Sequence, residues 1–258
     1  MRTLIAQAAM SVCMLVFALL ALRIASRVPP GQPTFRYAWA LTGAAFLVRV
    51  CNSLFHDVFA TVAYVGGEES RAWAAILVWH PILNHSRTFL ITAFCIVLLV
   101  ALRRAIRGAP PPPLRTGVAV VLLGMVVGGV VGWQETTFSG LTHFTAVALW
   151  DLMEMLALFA VLYVGLSTAT LDRNLWACIG IYTFVLALSV LLFAFLARID
   201  VHGEWAPRAS TLQIVKTLLY LVLDTVAIRA WLKVRRREPL RSFIEDRPLR
   251  TVVPSLHL

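Results

Sequence analysis

Residues 117–133 read GVAVVLLGMVVGGVVGW, with Arg115 two positions before them and Glu135 two positions after. Nothing in the run is charged. A helix needs about 20 mostly apolar residues to cross the hydrocarbon core of a bilayer, and this stretch reads as such a span, bounded on each side by charge. Working outward from it, six more candidates emerge: Leu4 to Ala25, Tyr37 to Val65, Trp79 to Leu102 with a helical lead-in from Ala72, Thr142 to Leu166, Leu175 to Leu196 and Thr211 to Leu232. Pro81 near the start of the third suits a helix beginning or a kink. The first is longer than the apolar part of a signal peptide, and Arg23 stands where a small-residue cleavage site would be expected, so it reads as a retained span.

Composition agrees. Of 258 residues, 60% are hydrophobic and 14% charged, against roughly 45–50% and about 25% in soluble domains. Mean hydropathy is +0.81. These values exclude a soluble globular enzyme, a disordered chain and a small disulfide scaffold. The four cysteines, Cys13, Cys51, Cys95 and Cys178, all lie in apolar runs with no CxxC pair, and read as small buried hydrophobes.

The formal net charge is +10. In a membrane protein such an excess belongs to cytoplasmic loops, and nucleic acid need not be invoked. With the N-terminus outside, the inner segments hold Arg23, Arg27, Arg36, Arg103, Arg104, Arg107, Arg115, Arg173, Lys233, Arg235, Arg236, Arg237, Arg241, Arg247 and Arg250. The outer segments hold only Arg2, Arg71, Arg198 and Arg208. The expectation is therefore an all-α bundle of seven transmembrane helices over residues 1–233, N-terminus outside, followed by a basic cytoplasmic tail over 234–258. A bacterial inner membrane is the expected location. Trp39, Trp176 and Trp231 fall near inner span ends and Trp73, Trp79 and Trp133 near outer ones, the placement of an interfacial aromatic belt.

The loops are short. One contains Ala109 followed by four prolines, Pro110 to Pro113, a stiff spacer. Gly124, Gly128 and Gly132 recur every four residues and so share a helix face that a neighbouring backbone can approach closely, either within the bundle or in a homodimer. The arginine-rich tail reads as an anchor to anionic lipid or as a docking place for a cytoplasmic signalling partner.

Ionisable residues inside spans are costly and by default face the bundle interior. The second span carries Arg49, Asn52 and His56 on one face, with Asp57 at its edge. The third carries His80, Asn84 and Arg87, with His85 beside them; the fifth carries His143, Asp151 and Glu154; the seventh carries Lys216, Tyr220 and Asp224. A rise of about 1.5 Å per residue puts most of these at similar depth in the outer half of the membrane. They predict a polar cavity opening outward, lined by spans two, three, five and seven. There Arg49 and Lys216 would hold an anionic group, while Asp151 and Glu154 would balance them or take a proton. His56 would tune the site between pH 5 and 8. A structural ion-pair network, Arg49 with Asp151 or Glu154 and Lys216 with Asp57, is the competing reading.

The segment Leu19-Leu20-Ala21-Leu22-Arg23, then Arg36-Tyr37-Ala38-Trp39-Ala40-Leu41, then Phe46-Leu47-Val48-Arg49 resembles the seven-helix N-terminal input domains of bacterial sensor kinases and cyclases. The likeness covers the N-terminal fifth, and beyond it helix count and orientation. It implies a sensor whose output comes from a partner docking on the inner loops and tail, and it transfers no site residues. Two other readings stand beside it. His56, His80, His85 and His143 are candidates for haem or metal ligands in a redox protein or enzyme, although the chain shows no HxxxH, HExxH or other catalytic motif. Intramembrane Asp, Glu and His residues also mark proton-coupled transporters. Lys216 invites comparison with a retinal-binding rhodopsin, but the third span has no carboxylate counter-ion and Leu212 stands four residues before the lysine.

Overall fold

A computed structural model describes residues 2–66, 71–135, 143–168, 172–198 and 206–236. Among these residues the chain is all helix, with no strand. The helices are α1 (Arg2–Arg27), α2 (Pro33–Gly66), α3 (Arg71–Ile106), α4 (Leu114–Glu135), α5 (His143–Thr168), α6 (Arg173–Arg198) and α7 (Ala206–Arg235). Each expected span falls within one of them, save for Thr142 at the start of the fifth, which lies outside the described residues. Five contain stretches long and apolar enough to cross a membrane: Ala8–Arg27, Pro33–Phe55, Val78–Ile106, Leu114–Gln134 and Arg173–Leu191. The chain thus has the makings of a multi-pass membrane protein. The part of α5 whose side chains are described, 149–165, is shorter than a span. α7 carries Lys216, Asp224 and Arg229 through its described length, more charge than an ordinary span tolerates.

Helix contacts close a ring in the order α1, α2, α3, α5, α6, α7 and back to α1. α4 stands outside the ring against α3, with a lesser contact to α2. Its composition explains the place. Leu123, Val126 and Val130 are more than half exposed, an apolar surface suited to lipid. The opposite face is the glycine ladder, and it lies on α3. A Cβ at Gly124 would come 2.6 Å from that of Ala93, and one at Gly132 would come 2.7 Å from Ile82 Cα. Gly128 rests on the backbone of His85. Of the two readings of this ladder, packing within the bundle is therefore the one realised, and the glycine face is already occupied by the chain itself.

Pro81 does not end α3, which runs 36 residues, about 54 Å at the α-helical rise against a hydrocarbon core of about 30 Å. The side chain of His85 takes up the carbonyl of Pro81, donating from Nδ1 at 2.7 Å.

The ring is filled by Phe17, Trp39, Leu41, Leu90, Phe94, Leu98, Leu158 and Tyr182, all essentially inaccessible. Phe17, Phe46 and Tyr182 form edge-to-face steps of 4.9 and 5.0 Å across α1, α2 and α6, the geometry that aromatic quadrupoles prefer. Two expected belt tryptophans are displaced from that role. Trp39 and Trp176 are buried and turn inward at the basic end of the bundle. Trp79 and Trp133 are exposed at the other end, as a belt requires. Cys13, Cys95 and Cys178 are buried and Cys51 is exposed.

Candidate functional site

Within the ring, α2 and α5 each present a charge on the inward face of an apolar helix. Arg49 of α2 donates through Nη1 to Glu154 Oε1 of α5, and Tyr182 of α6 donates its hydroxyl to the same oxygen. Arg49 is 4% exposed and Glu154 is fully buried. The guanidinium also lies 4.7 Å from the centroid of the Tyr182 ring, so a cation–π contact backs the ion pair. The three groups form a closed triangle in which one tyrosine serves both charges.

A second pair lies beside it. Arg87 of α3 donates through Nη2 to Asp151 Oδ1 of α5 at 2.6 Å. Asp151 and Glu154 are three residues apart and share a helix face, so one face of α5 receives arginines from two other helices. Here the burial is asymmetric, since the Arg87 side chain is 25% exposed and that of Asp151 is 2% exposed. Lys216 of α7 lies within electrostatic reach of Asp151, Arg87 and Arg49, and Tyr220, one turn further on, faces the same four charges. Asn52 is buried on α2 one turn beyond Arg49.

The structure thus brings together Arg49, Asp151, Glu154 and Lys216 of the residues expected from sequence, and adds two. Arg87 belongs to the third-span stripe but had no role beyond it. Tyr182 comes from α6, which carries no polar stripe, so the walls of the cluster include α6 as well as α2, α3, α5 and α7. His85 is buried on α3, stacked edge-on against Trp150 at 4.4 Å, the neighbour in sequence of Asp151. His80 and Asn84 are half-buried further out on α3. Asp224 is placed elsewhere: it meets Cys13 of α1. The side chains of His56, Asp57 and His143 lie outside the described residues, and with them the expected Lys216–Asp57 pair. Among the described residues no three His, Cys, Asp or Glu side chains gather as metal ligands.

A further acid marks the basic end. Asp172 caps α6: its Oδ1 accepts from the backbone N–H of Asn174 at 3.1 Å and from the Asn174 side chain at 3.1 Å, while its carbonyl accepts the first helical bond, from Trp176. The carboxylate is buried. The indole N–H of Trp39 approaches it with looser geometry than a full hydrogen bond, and Lys233 of α7 acts on it electrostatically. Burial pushes the Asp172 carboxyl above its usual range, opposed by these donors and by Lys233.

Chemically, the central cluster is a set of fixed cations and carboxylates held in low dielectric, with its arginines oriented by hydrogen bonds. Such a set can hold or exchange an anion or a proton. The chain matches no protein-family model, no curated protein and no solved structure, so the likeness to seven-helix sensor input domains rests on the N-terminal residues that carry it.

Proposed function

We propose that the chain is a seven-helix membrane sensor or transducer, N-terminus outside and C-terminus cytoplasmic, that binds a small anion at the Arg87–Lys216 side of the buried cluster. The distribution of basic residues supports the orientation. One observation carries the binding reading. Among the described residues Arg49, Arg87 and Lys216 face only two carboxylates, Asp151 and Glu154. A purely structural network would neutralise itself, because an uncompensated charge in low dielectric costs several kcal/mol. The cation in excess over the described carboxylates supports an affinity for an anion, a place that the carboxylate of Asp57, outside the described residues, would fill in the competing ion-pair reading. Arg49 is consumed by Glu154 and Tyr182. The anion therefore falls to Arg87, which is partly accessible, and to Lys216. This refines the expectation that Arg49 itself would hold it.

The test is a thermal-shift titration of the detergent-solubilised protein with chloride, acetate, succinate and phosphate. Ligand at a hundredfold excess over Kd stabilises by about 2.7 kcal/mol, a shift that is readily seen. The expected result is stabilisation by at least one of these anions, lost in Arg87→Gln and Lys216→Gln. If no anion stabilises the wild type, the cluster is a structural network.

A further inference from the structure

Away from the central cluster, at the basic end, α7 carries a groove of about 380 Å³ lined by Thr225, Ile228, Arg229, Leu232, Lys233 and Arg236. These positions follow one another in steps of three and four, or pair side by side, so they form a single stripe along one face of the helix. The stripe alternates two chemistries. Ile228 and Leu232 are over 40% exposed; Arg229 and Arg236 are exposed, and Lys233 is half-buried. No carboxylate among the described residues forms an ion pair with Arg229 or Arg236.

We infer that this groove seats an anionic phospholipid, its phosphate on Arg229, Lys233 and Arg236 and its upper acyl chain on Ile228 and Leu232. Three arguments fix the occupant. The first is charge: of three cations within two turns only Lys233 has a described carboxylate acting on it, Asp172, and Arg229 and Arg236 pair with none among the described residues. The second is depth. From Thr225 to Arg236 the helix rises about 16 Å, which spans the passage from hydrocarbon to headgroups at one face of a bilayer. Trp231, at the same level, receives the guanidinium of Arg23 5.9 Å from its ring, and an indole beside an arginine is a residue pair of the membrane–water interface. The third is the alternation itself. A soluble phosphate would need only the cations, whereas the exposed aliphatic residues between them match a molecule that is part anion and part hydrocarbon. Lys233 has a second relation, to the buried Asp172, so a lipid phosphate on Lys233 would compete with the cap of α6.

The experiment uses the full chain in a neutral detergent and measures binding of short-chain phosphatidylglycerol, of phosphatidylcholine with the same chains, and of inorganic phosphate. The expected result is saturable phosphatidylglycerol binding, at least tenfold tighter than either control. The triple substitution Arg229→Gln, Lys233→Gln, Arg236→Gln should weaken it at least tenfold. The charge-preserving Arg229→Lys should keep most of it and shows whether folding is intact. Absence of phosphatidylglycerol binding by the wild type overturns the inference. So does equal binding by the triple variant, and so does phosphate binding as tightly as the lipid, which would make the groove a site for a soluble anion.

Discussion

The guanidinium of Arg49 on α2 donates to the carboxylate of Glu154 on α5 across 105 positions of sequence, and Tyr182 closes the pair from α6. The arrangement ties three helices of the ring together at one oxygen atom. Removing one charge leaves the other buried without its partner, a loss of about 3–5 kcal/mol in buried pairs. Arg49→Ala and Glu154→Ala should each destabilise the detergent-solubilised protein by about that amount in an unfolding titration. The double substitution Arg49→Met, Glu154→Leu removes both charges at similar volume and should recover most of the loss. Tyr182→Phe deletes one hydrogen bond to a charged group and should cost about 1.5–3 kcal/mol. Additive losses in the double variant would show that the two residues do not act as a pair.

The second pair should behave differently. Arg87 keeps a quarter of its side chain accessible, and the Asp151 carboxylate that its removal leaves still has Lys216 within electrostatic reach. Arg87→Gln is therefore expected to cost less than Arg49→Gln in the same titration, since a second cation remains for the stranded acid. Asp151→Asn should cost more than Arg87→Gln, because its removal leaves Arg87 and Lys216, two cations, facing each other. Equal losses at Arg49 and Arg87 would contradict the asymmetry.

The glycines of α4 make a contrast that needs no charge. Gly132 lies against the backbone of α3 at Ile82, which cannot yield as a side-chain tip can. Gly132→Val should push α4 from α3 and cost about 1–3 kcal/mol, the range of overpacked cores. Gly180 lies within α6, and a Cβ there meets nothing within 4 Å. Gly180→Ala should be neutral or stabilising by up to about 1 kcal/mol, through helix propensity. Melting curves of the two variants check both statements.

Much of this was legible in the sequence because an apolar helix makes its exceptions conspicuous. Arg49, Asp151, Glu154 and Lys216 stand out of their runs, and the helical repeat put the two α5 acids on one face. Tyr182 did not stand out, since a tyrosine in an apolar helix looks like core, and its role depends on two residues distant in sequence. Asp224 misled for a geometric reason. Two steps of four residues accumulate a drift of about 80° around a helix, enough to turn Asp224 from the face of Lys216 toward Cys13 on α1. Trp39 and Trp176 sit at the depth of a belt, but depth says nothing about whether a side chain faces lipid or the helix beside it. The place of α4 outside the ring was implicit in its glycine face and valine face, yet which neighbour filled the glycines required the fold.

Asp172 offers a pH test. Its carboxyl is pushed up by burial, so between the unfolded value of about 3.9 and its folded value the native state binds more protons than the unfolded state. By linkage, stability from this group is greatest below the unfolded value and declines as pH rises through the folded one. Asp172→Asn keeps a good helix cap and abolishes the titration. The variant should match the wild type at low pH and exceed it as pH rises, whereas Asp172→Ala should lie about 1 kcal/mol below Asp172→Asn at every pH by losing the cap. Thermal unfolding followed across that range would show it, and parallel curves for wild type and Asp172→Asn would refute the linkage.

The last prediction concerns how many helices cross. Seven spans and five are both odd, so the two ends of the chain alone cannot decide between them. The segments flanking α6 can. If α5 and α7 cross the bilayer along with the five strongly apolar helices, the 169–172 connection lies on the same side as Arg107 and Arg236, and the 199–205 connection on the opposite side. If α5 and α7 lie in the protein without crossing, those two assignments exchange. The charges of α7 do not argue against crossing, because Lys216 faces the central cluster and Asp224 is buried against α1, so neither is presented to lipid. Single cysteines at Leu171 and at Val201, in a chain whose own exposed Cys51 is replaced by serine, should therefore label from opposite sides with a membrane-impermeant maleimide. Leu171→Cys should react only after the inner face is opened, and Val201→Cys in intact cells. The reverse pattern would reduce the bundle to five spans, and labelling of both from one side would exclude α6 as a span.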